Sequence, residues 1–295
     1  LAPGRAAGGN IELNSYKNYC ERNKLVSIYP WIKDRFFGAP VDGWQWPEGY
    51  AGKESWQELT FASLTGAKMA GLYGPADTEA PKGNIVCAHP MKSAAKGFYL
   101  KSGMADALRE EGYNVLLFDF NGFGDSENID FEWPGDILAA GRELKKLSPS
   151  LPQGLLGVSM GGAMGICACS NPDHDFDVVV AEGAFTSLEE FWVHFPTRYY
   201  VIKVTSLFVP KSETNKMKAI HHAPCLKKLK GILFIHGEED HLSPPDMGHR
   251  FNDMSPIPSE LWIVPGAGHI QCVDAAPEAY RERVLDFFNR HLEAE

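Results

Sequence analysis

Ser159 lies in Leu155-Leu156-Gly157-Val158-Ser159-Met160-Gly161-Gly162, an apolar run that closes on Gly-x-Ser-x-Gly and opens into small residues from Gly161 to Ala168. That pattern predicts a strand turning sharply into a helix, with one hydroxyl lifted out at the turn. The glycines serve this geometry. The serine backbone is strained at such a turn, and a Cβ at Gly157 or Gly161 would collide with the neighbouring strand or helix. A free serine hydroxyl is a weak nucleophile, so the motif requires a base and an acid elsewhere in the chain.

The base is expected near the C-terminus. Pro265-Gly266-Ala267-Gly268-His269 follows the strand expected over Leu261–Val264, and a glycine-rich loop there can deliver an imidazole over the sheet. His269 would take the Ser159 proton and return it to the leaving group. The acid is expected between them, in Ile235-His236-Gly237-Glu238-Glu239-Asp240-His241-Leu242-Ser243-Pro244. Asp240 is the first choice to orient His269, with Glu238 and Glu239 as near alternatives and Glu182 as a more distant one. An oxyanion hole needs two backbone N–H groups. One is expected from Met160, directly after the serine. The other is expected from Cys87-Ala88-His89-Pro90-Met91-Lys92; Pro90 has no N–H, which leaves Met91 first and Lys92 second. His89 is expected to brace this loop.

The elements that must position these residues alternate along the chain. Trp56–Ser63 and Lys68–Tyr73 read as an antiparallel hairpin turning at Thr65-Gly66. Apolar strands are expected at Asn84–Ala88, Asn114–Asp119, Gly154–Val158, Val178–Ala181, Gly231–His236 and Leu261–Val264. Helices are expected at Phe98–Glu111, Pro134–Leu147, Gly161–Ala168 and Pro277–His291. Apolar strands separated by helices imply a mostly parallel sheet covered on both faces. Residues 184–229 break this rhythm, with many aromatics and no clear strand, and read as a short cap inserted before Gly231. Phe191, Trp192, Phe195, Tyr199 and Tyr200 are its candidate substrate-binding residues. Residues 1–50 read as an aromatic-rich arm packed on a domain spanning 51–295, with a short helix expected at Asn14–Lys24.

The 295 residues carry a net charge of −10. That balance argues against a nucleic-acid partner, which needs a basic surface. No apolar run approaches the ~20 residues of a membrane-spanning helix. The six cysteines are scattered, several in apolar contexts, and read as reduced and mostly buried, which points to a cytoplasmic setting. The chain opens on Leu1, and Leu1–Gly9 is rich in Gly, Ala and Pro as in a linker, so a removed signal or anchor stays open.

Together, Gly157-Val158-Ser159-Met160-Gly161, His236-Gly237-Glu238-Glu239-Asp240 and Gly268-His269 resemble the α/β-hydrolase superfamily across nearly all of residues 55–292. Phe120-Asn121-Gly122-Phe123-Gly124-Asp125-Ser126 is similar to that family's Arg-Gly-x-Gly-x-Ser loop, with Asn121 where Arg is usual. The hairpin and the modest insert resemble its serine-aminopeptidase-like and acyl-hydrolase branches. The resemblance implies a serine hydrolase acting on a small-molecule acyl substrate, an ester or thioester with an apolar acyl group, through an acyl-enzyme and without metal or organic cofactor. Peripheral membrane contact and the oligomeric state stay open. A prolyl or aminopeptidase is the first alternative, in which Glu182, Glu189 or Glu190 would hold a substrate amine. A non-catalytic binding protein on the same fold is the second; such proteins usually lose a member of the triad, and all three are present here.

Overall fold

A computed structural model describes residues 44–91, 95–205 and 215–292. Its centre is an eight-stranded sheet of β1 (Gln57–Ala62), β2 (Lys68–Gly74), β3 (Gly83–Ala88), β4 (Tyr113–Phe118), β5 (Gln153–Val158), β6 (Val178–Glu182), β7 (Gly231–Gly237) and β8 (Ser259–Val264). The spatial order is β1-β2-β4-β3-β5-β6-β7-β8. β2 runs antiparallel to both its neighbours, and every other pair is parallel. This is the α/β-hydrolase fold expected above: a mostly parallel sheet with an N-terminal antiparallel hairpin.

The pleat divides each central strand between two cores. Val86, Leu155 and Val179 face one apolar cluster, while Ile85, Cys87, Leu156, Val178 and Val180 face the other. Successive strand side chains point to opposite faces, so a strand buried on both must be apolar throughout. On the first face lie α3 (Trp133–Leu147) and α4 (Met160–Cys169), every residue of α4 being buried. The second face is covered by α1 (Phe98–Lys101), α2 (Met104–Glu110) and the closing helix α10 (Pro277–Leu292). α10 buries Tyr280, Val284, Phe287, Phe288 and Leu292, the i, i+4, i+7, i+8 stripe of an amphipathic helix.

Two elements differ from the sequence reading. The single helix expected over Phe98–Glu111 is two, because Gly103 adopts a left-handed φ of 70° between α1 and α2. The sequence does not announce the helix over Pro245–Met254, here α8; only Met247, Gly248 and Phe251 of its ten residues are buried, too few apolar positions to stand out. The described parts of the cap are helical: α5 (Leu188–Phe191), α6 (Pro196–Thr205) and α7 (Ala219–His222). α9 (Cys272–Ala275) precedes α10. Among the described residues, no helix is long and apolar enough to cross a membrane, and no group of three or more His, Cys, Asp or Glu side chains is placed to hold a metal ion. Cys87, Cys167, Cys169 and Cys272 are buried free thiols and Cys225 is an exposed one; Cys20 and the helix expected at Asn14–Lys24 lie outside the described residues.

Trp44, Trp46 and Tyr50 pack against the second core. Trp44 meets Trp46 edge to face, Trp46 stacks on Tyr50, and the Tyr50 hydroxyl donates to Asp106 at 2.7 Å. Trp44 also covers Lys96, whose ammonium lies 4.4 Å from the indole centroid. Lys96 is 3% exposed and bonds Asp119 at 2.5 Å and Asp125 at 2.8 Å. Its backbone N–H donates to the other Asp119 oxygen at 2.9 Å. This pair ties the segment after β3 to the end of β4. Removing one partner of a buried ion pair strands the other, at a cost of ~3–5 kcal/mol. Lys96→Met should therefore lower stability by about that amount in urea unfolding, while Asp125→Asn, at a half-exposed carboxylate, should cost less than ~1 kcal/mol.

Candidate active site

The turn between β5 and α4 is the strained one the sequence demands. Ser159 has φ 53° and ψ −110°, a conformation that L-residues with a side chain rarely adopt. Its amide donates to Glu182 O at the end of β6 over 2.7 Å. The two glycines permit the close approach: a Cβ on Gly161 would lie 1.9 Å from Ala88 O, and one on Gly157 would lie 2.5 Å from Gly161 O.

The candidate base and acid, His269 and Asp240, come to this turn from adjacent loops. The loops after β7 and β8 are laced together by Glu238 N to Val264 O and Glu239 N to Ala267 O, both 2.9 Å. His269 Nε2 lies 2.9 Å from Ser159 Oγ, and His269 Nδ1 lies 2.8 Å from Asp240 Oδ2. Asp240 is buried, whereas Glu238 and Glu239 are exposed. Glu238 instead accepts Gly266 N at 3.1 Å, steadying the histidine loop. Burial works against the Asp240 charge, yet the bonds from His269 and Ser243 hold its carboxyl below the ordinary aspartate value. Glu182, the more distant alternative, is turned away from this array. Its carboxylate accepts the Tyr280 hydroxyl at 2.7 Å and Cys272 N at 3.4 Å, and burial raises its pKa.

The loop expected to complete an oxyanion hole leaves β3 at Ala88. Met160 is the first residue of α4, where backbone N–H groups have no acceptor within the helix. Met91 is half-buried against the core, and Lys92 lies outside the described residues. His89 does brace this loop: Nδ1 pairs with Pro90 O at 2.7 Å and Nε2 accepts Phe120 N at 3.1 Å. The second bond needs a bare Nε2, and burial keeps the ring neutral by lowering its pKa to about 4. Asn121, in place of the usual arginine, holds its own loop by accepting from Ile129 N at 2.8 Å and donating to Asp130 at 3.3 Å.

Of the cap aromatics, Phe191 meets His269 directly, its ring 5.4 Å from the imidazole. Trp192 follows at 4.7 Å and Phe195 at a further 5.4 Å, so the rings run outward from the buried Phe191 to the exposed Phe195. Tyr199 and Tyr200 form a separate pair, and Tyr200 is 62% exposed. The acids proposed to hold an amine are committed elsewhere: Glu190 to Arg250 at 2.6 and 3.1 Å, Glu189 to Lys218 at 2.8 Å, and Glu182 to Tyr280. Sequence reasoning missed Ser243, which touches both Asp240 and His269. A polar residue between Leu242 and Pro244 was its only signal.

Fold and geometry together are those of an α/β-hydrolase. The family model described as "Serine aminopeptidase, S33" matches residues 79–231, just over half of the chain. The chain belongs to that family and is a hydrolase of the α/β-hydrolase fold. It is 23% identical to the Escherichia coli (strain K12) protein YfhR over 269 residues, 89% of each chain. The Pyrococcus furiosus esterase Pf2001 superposes with a TM-score of 0.67 at 21% identity, covering 86% of this chain and 99% of the esterase. An acylaminoacyl peptidase of Pyrococcus horikoshii superposes at 0.61 and 18% identity, covering 81% of this chain and 42% of the peptidase. At these identities, the two structures attest the shared fold.

Gly161→Ala tests the elbow. The added methyl meets backbone rather than a flexible side chain, so strand or helix must shift. The variant should lose ~3 kcal/mol, the upper end of ordinary overpacking, in chemical denaturation.

Proposed function

We propose that this chain is a serine hydrolase that cleaves an ester or thioester bearing an apolar acyl group, through an acyl-enzyme. One observation carries the reading: Ser159 Oγ, His269 and Asp240 lie in a continuous hydrogen-bonded line of 2.9 and 2.8 Å. In this mechanism Asp240 accepts a hydrogen bond from the Nδ1–H of His269, which keeps the proton on Nδ1 and leaves Nε2 bare toward the serine. Nε2 takes the Ser159 proton as Oγ attacks the carbonyl carbon, and the carbonyl oxygen becomes an oxyanion held by the N–H groups of Met160 and Met91. Collapse expels the alcohol or thiol, protonated by His269, and leaves the acyl group on Oγ. His269 then draws a proton from water, which attacks the acyl-enzyme and restores Ser159.

Phe191 supports an apolar acyl group, since its ring stands beside the imidazole and continues into Trp192 and Phe195. The peptidase reading has less support. Recognition of a substrate amine calls for an acid facing the site, and Glu182, Glu189 and Glu190 are each engaged with another side chain. A binding-only role sits poorly with the strain kept at Ser159 and with an intact triad.

The test is a panel of p-nitrophenyl esters, acyl-CoA thioesters and aminoacyl anilides. Wild type should turn over esters or thioesters. Ser159→Ala and His269→Ala should each lower kcat by ~10⁴-fold or more, about equally because they act as a unit, and Asp240→Asn should cost less. Anilides hydrolysed in preference to every ester would sink the esterase reading. A Ser159→Ala variant retaining a few per cent of wild-type activity would remove the nucleophile.

The aromatic run gives a second expectation. Phe191→Ala and Phe195→Ala should change the preference among acyl chain lengths by ~1–3 kcal/mol, and Tyr200→Ala, facing solvent, should leave the profile alone. If Phe191→Ala and Phe195→Ala lower only the melting temperature and keep the wild-type profile, the cap does not select the acyl chain.

A further inference from the structure

We infer that Ser243 is a positioning residue for the proposed reaction, its hydroxyl registering His269 and Asp240 against the strand end that anchors Ser159. The inference rests on the serine-hydrolase reading. Ser243 is fully buried. Its amide donates to Asp240 Oδ1 at 2.9 Å, and its Oγ lies 2.8 Å from Gly183 O, 2.9 Å from Asp240 Oδ2 and 3.1 Å from His269 Nδ1. Its carbonyl pairs with Nδ1 of the buried His236 at 3.0 Å.

A serine hydroxyl has one proton to give and two lone pairs to offer. Asp240 already receives Leu242 N and Ser243 N on Oδ1, and the His269 Nδ1 proton on Oδ2. Gly183 O has the Ser243 hydroxyl as its side-chain donor, and a buried carbonyl without a donor is costly. The proton therefore goes to Gly183 O, and the Oγ lone pairs face His269. The Nδ1–H then forks between Asp240 Oδ2 and Ser243 Oγ. Two acceptors on Nδ1 hold the proton there, which keeps Nε2 bare for the Ser159 hydroxyl, and both strengthen when the imidazolium forms.

The same bond fixes position. Ser159 N hangs from Glu182 O and Ser243 Oγ from the next carbonyl, Gly183 O. Gly183 N in turn bonds Ile235 O at 2.8 Å, locking this strand end to β7. Nucleophile and acid loop are thus registered on consecutive peptide units of one strand.

The test reads the imidazole directly. The titratable groups around His269 are Asp240 in contact, Glu182 from the end of β6 and His236 from β7; Ser243→Ala alters none of these side chains. The His269 resonance, identified by its loss in His269→Ala, would be titrated by NMR in wild type, Ser243→Ala and Ser243→Cys. Ser243→Ala should move the inflection down by ~0.5–1 pH unit, since the charged ring loses an acceptor. It should also lower kcat for ester hydrolysis ~3- to 10-fold with KM unchanged. Ser243→Cys, close in size and a weak acceptor, should shift the same way, and it keeps the test open if the alanine variant does not fold. An inflection that stays within ~0.2 unit of wild type, or moves up, in a folded variant overturns the inference. The titration does not depend on turnover, so an inactive wild type would overturn the hydrolase reading and leave this hydrogen bond to be judged on its own.

Discussion

The approach of α4 to the sheet is the constraint on which the rest of this site depends. A helix seated this close to β3 and β5 must enter its first turn without a Cβ at Gly161 and leave β5 without one at Gly157. In return, the strained residue between them is held clear of both elements. Ser159 keeps its φ of 53° because neighbours over-determine it: its amide is tied to Glu182 O, its carbonyl accepts Ala163 N at 2.9 Å, and all of α4 is buried behind it. The small residues of α4 serve this packing first, and the placement of the Ser159 hydroxyl beside His269 is its consequence.

Once the serine is fixed on β5, strand order determines what can reach it. β6 lies beside β5, with β7 and β8 beyond it, so the loops after β7 and β8 must bring acid and imidazole back across the end of β6. The Glu238–Val264 and Glu239–Ala267 bonds join these loops before they arrive. Asp240 and His269 therefore come as a unit, and their mutual distance owes little to the cap. On the other flank β3 ends against the elbow, and its loop is held by neutral His89 and by the Lys96 ion pair. Both flanks are set by buried polar contacts on rigid strand ends, where a site can be held to fractions of an ångström.

What the sequence made legible follows from the same physics. The central strands were readable because burial on both faces leaves them mostly apolar, as in Ile85-Val86-Cys87-Ala88. Ser159, His269 and Asp240 were readable because glycines and strand ends mark their places, and the structure brings the three together. α8 was hidden by its exposed, polar faces. The break at Gly103 was hidden because a lone glycine in a helical pattern is usually tolerated. Ser243 was invisible as a participant because its partners, Gly183, Asp240 and His269, come from three separate stretches of chain. The cap aromatics were readable as a group, but composition could not separate Phe191, beside the imidazole, from Tyr200, which faces solvent.

Two buried carboxylates on neighbouring strand ends show how environment divides their roles. Asp240 is desolvated, but two amides and an imidazole donate to it, and together they favour the anion. Glu182 is as deeply buried, yet a phenol and one long amide contact do not offset its desolvation, and its pKa rises. In the proposed mechanism the imidazolium formed when His269 takes a proton needs a partner already charged and in contact, the place given there to Asp240. Glu182 contributes through its backbone, whose carbonyl holds the nucleophile's amide, while its side chain secures α9 and α10 on the opposite face. One residue at the end of β6 thus joins the elbow to the closing helix without entering the proton path, and the turn that strains Ser159 is braced from both sides of the sheet.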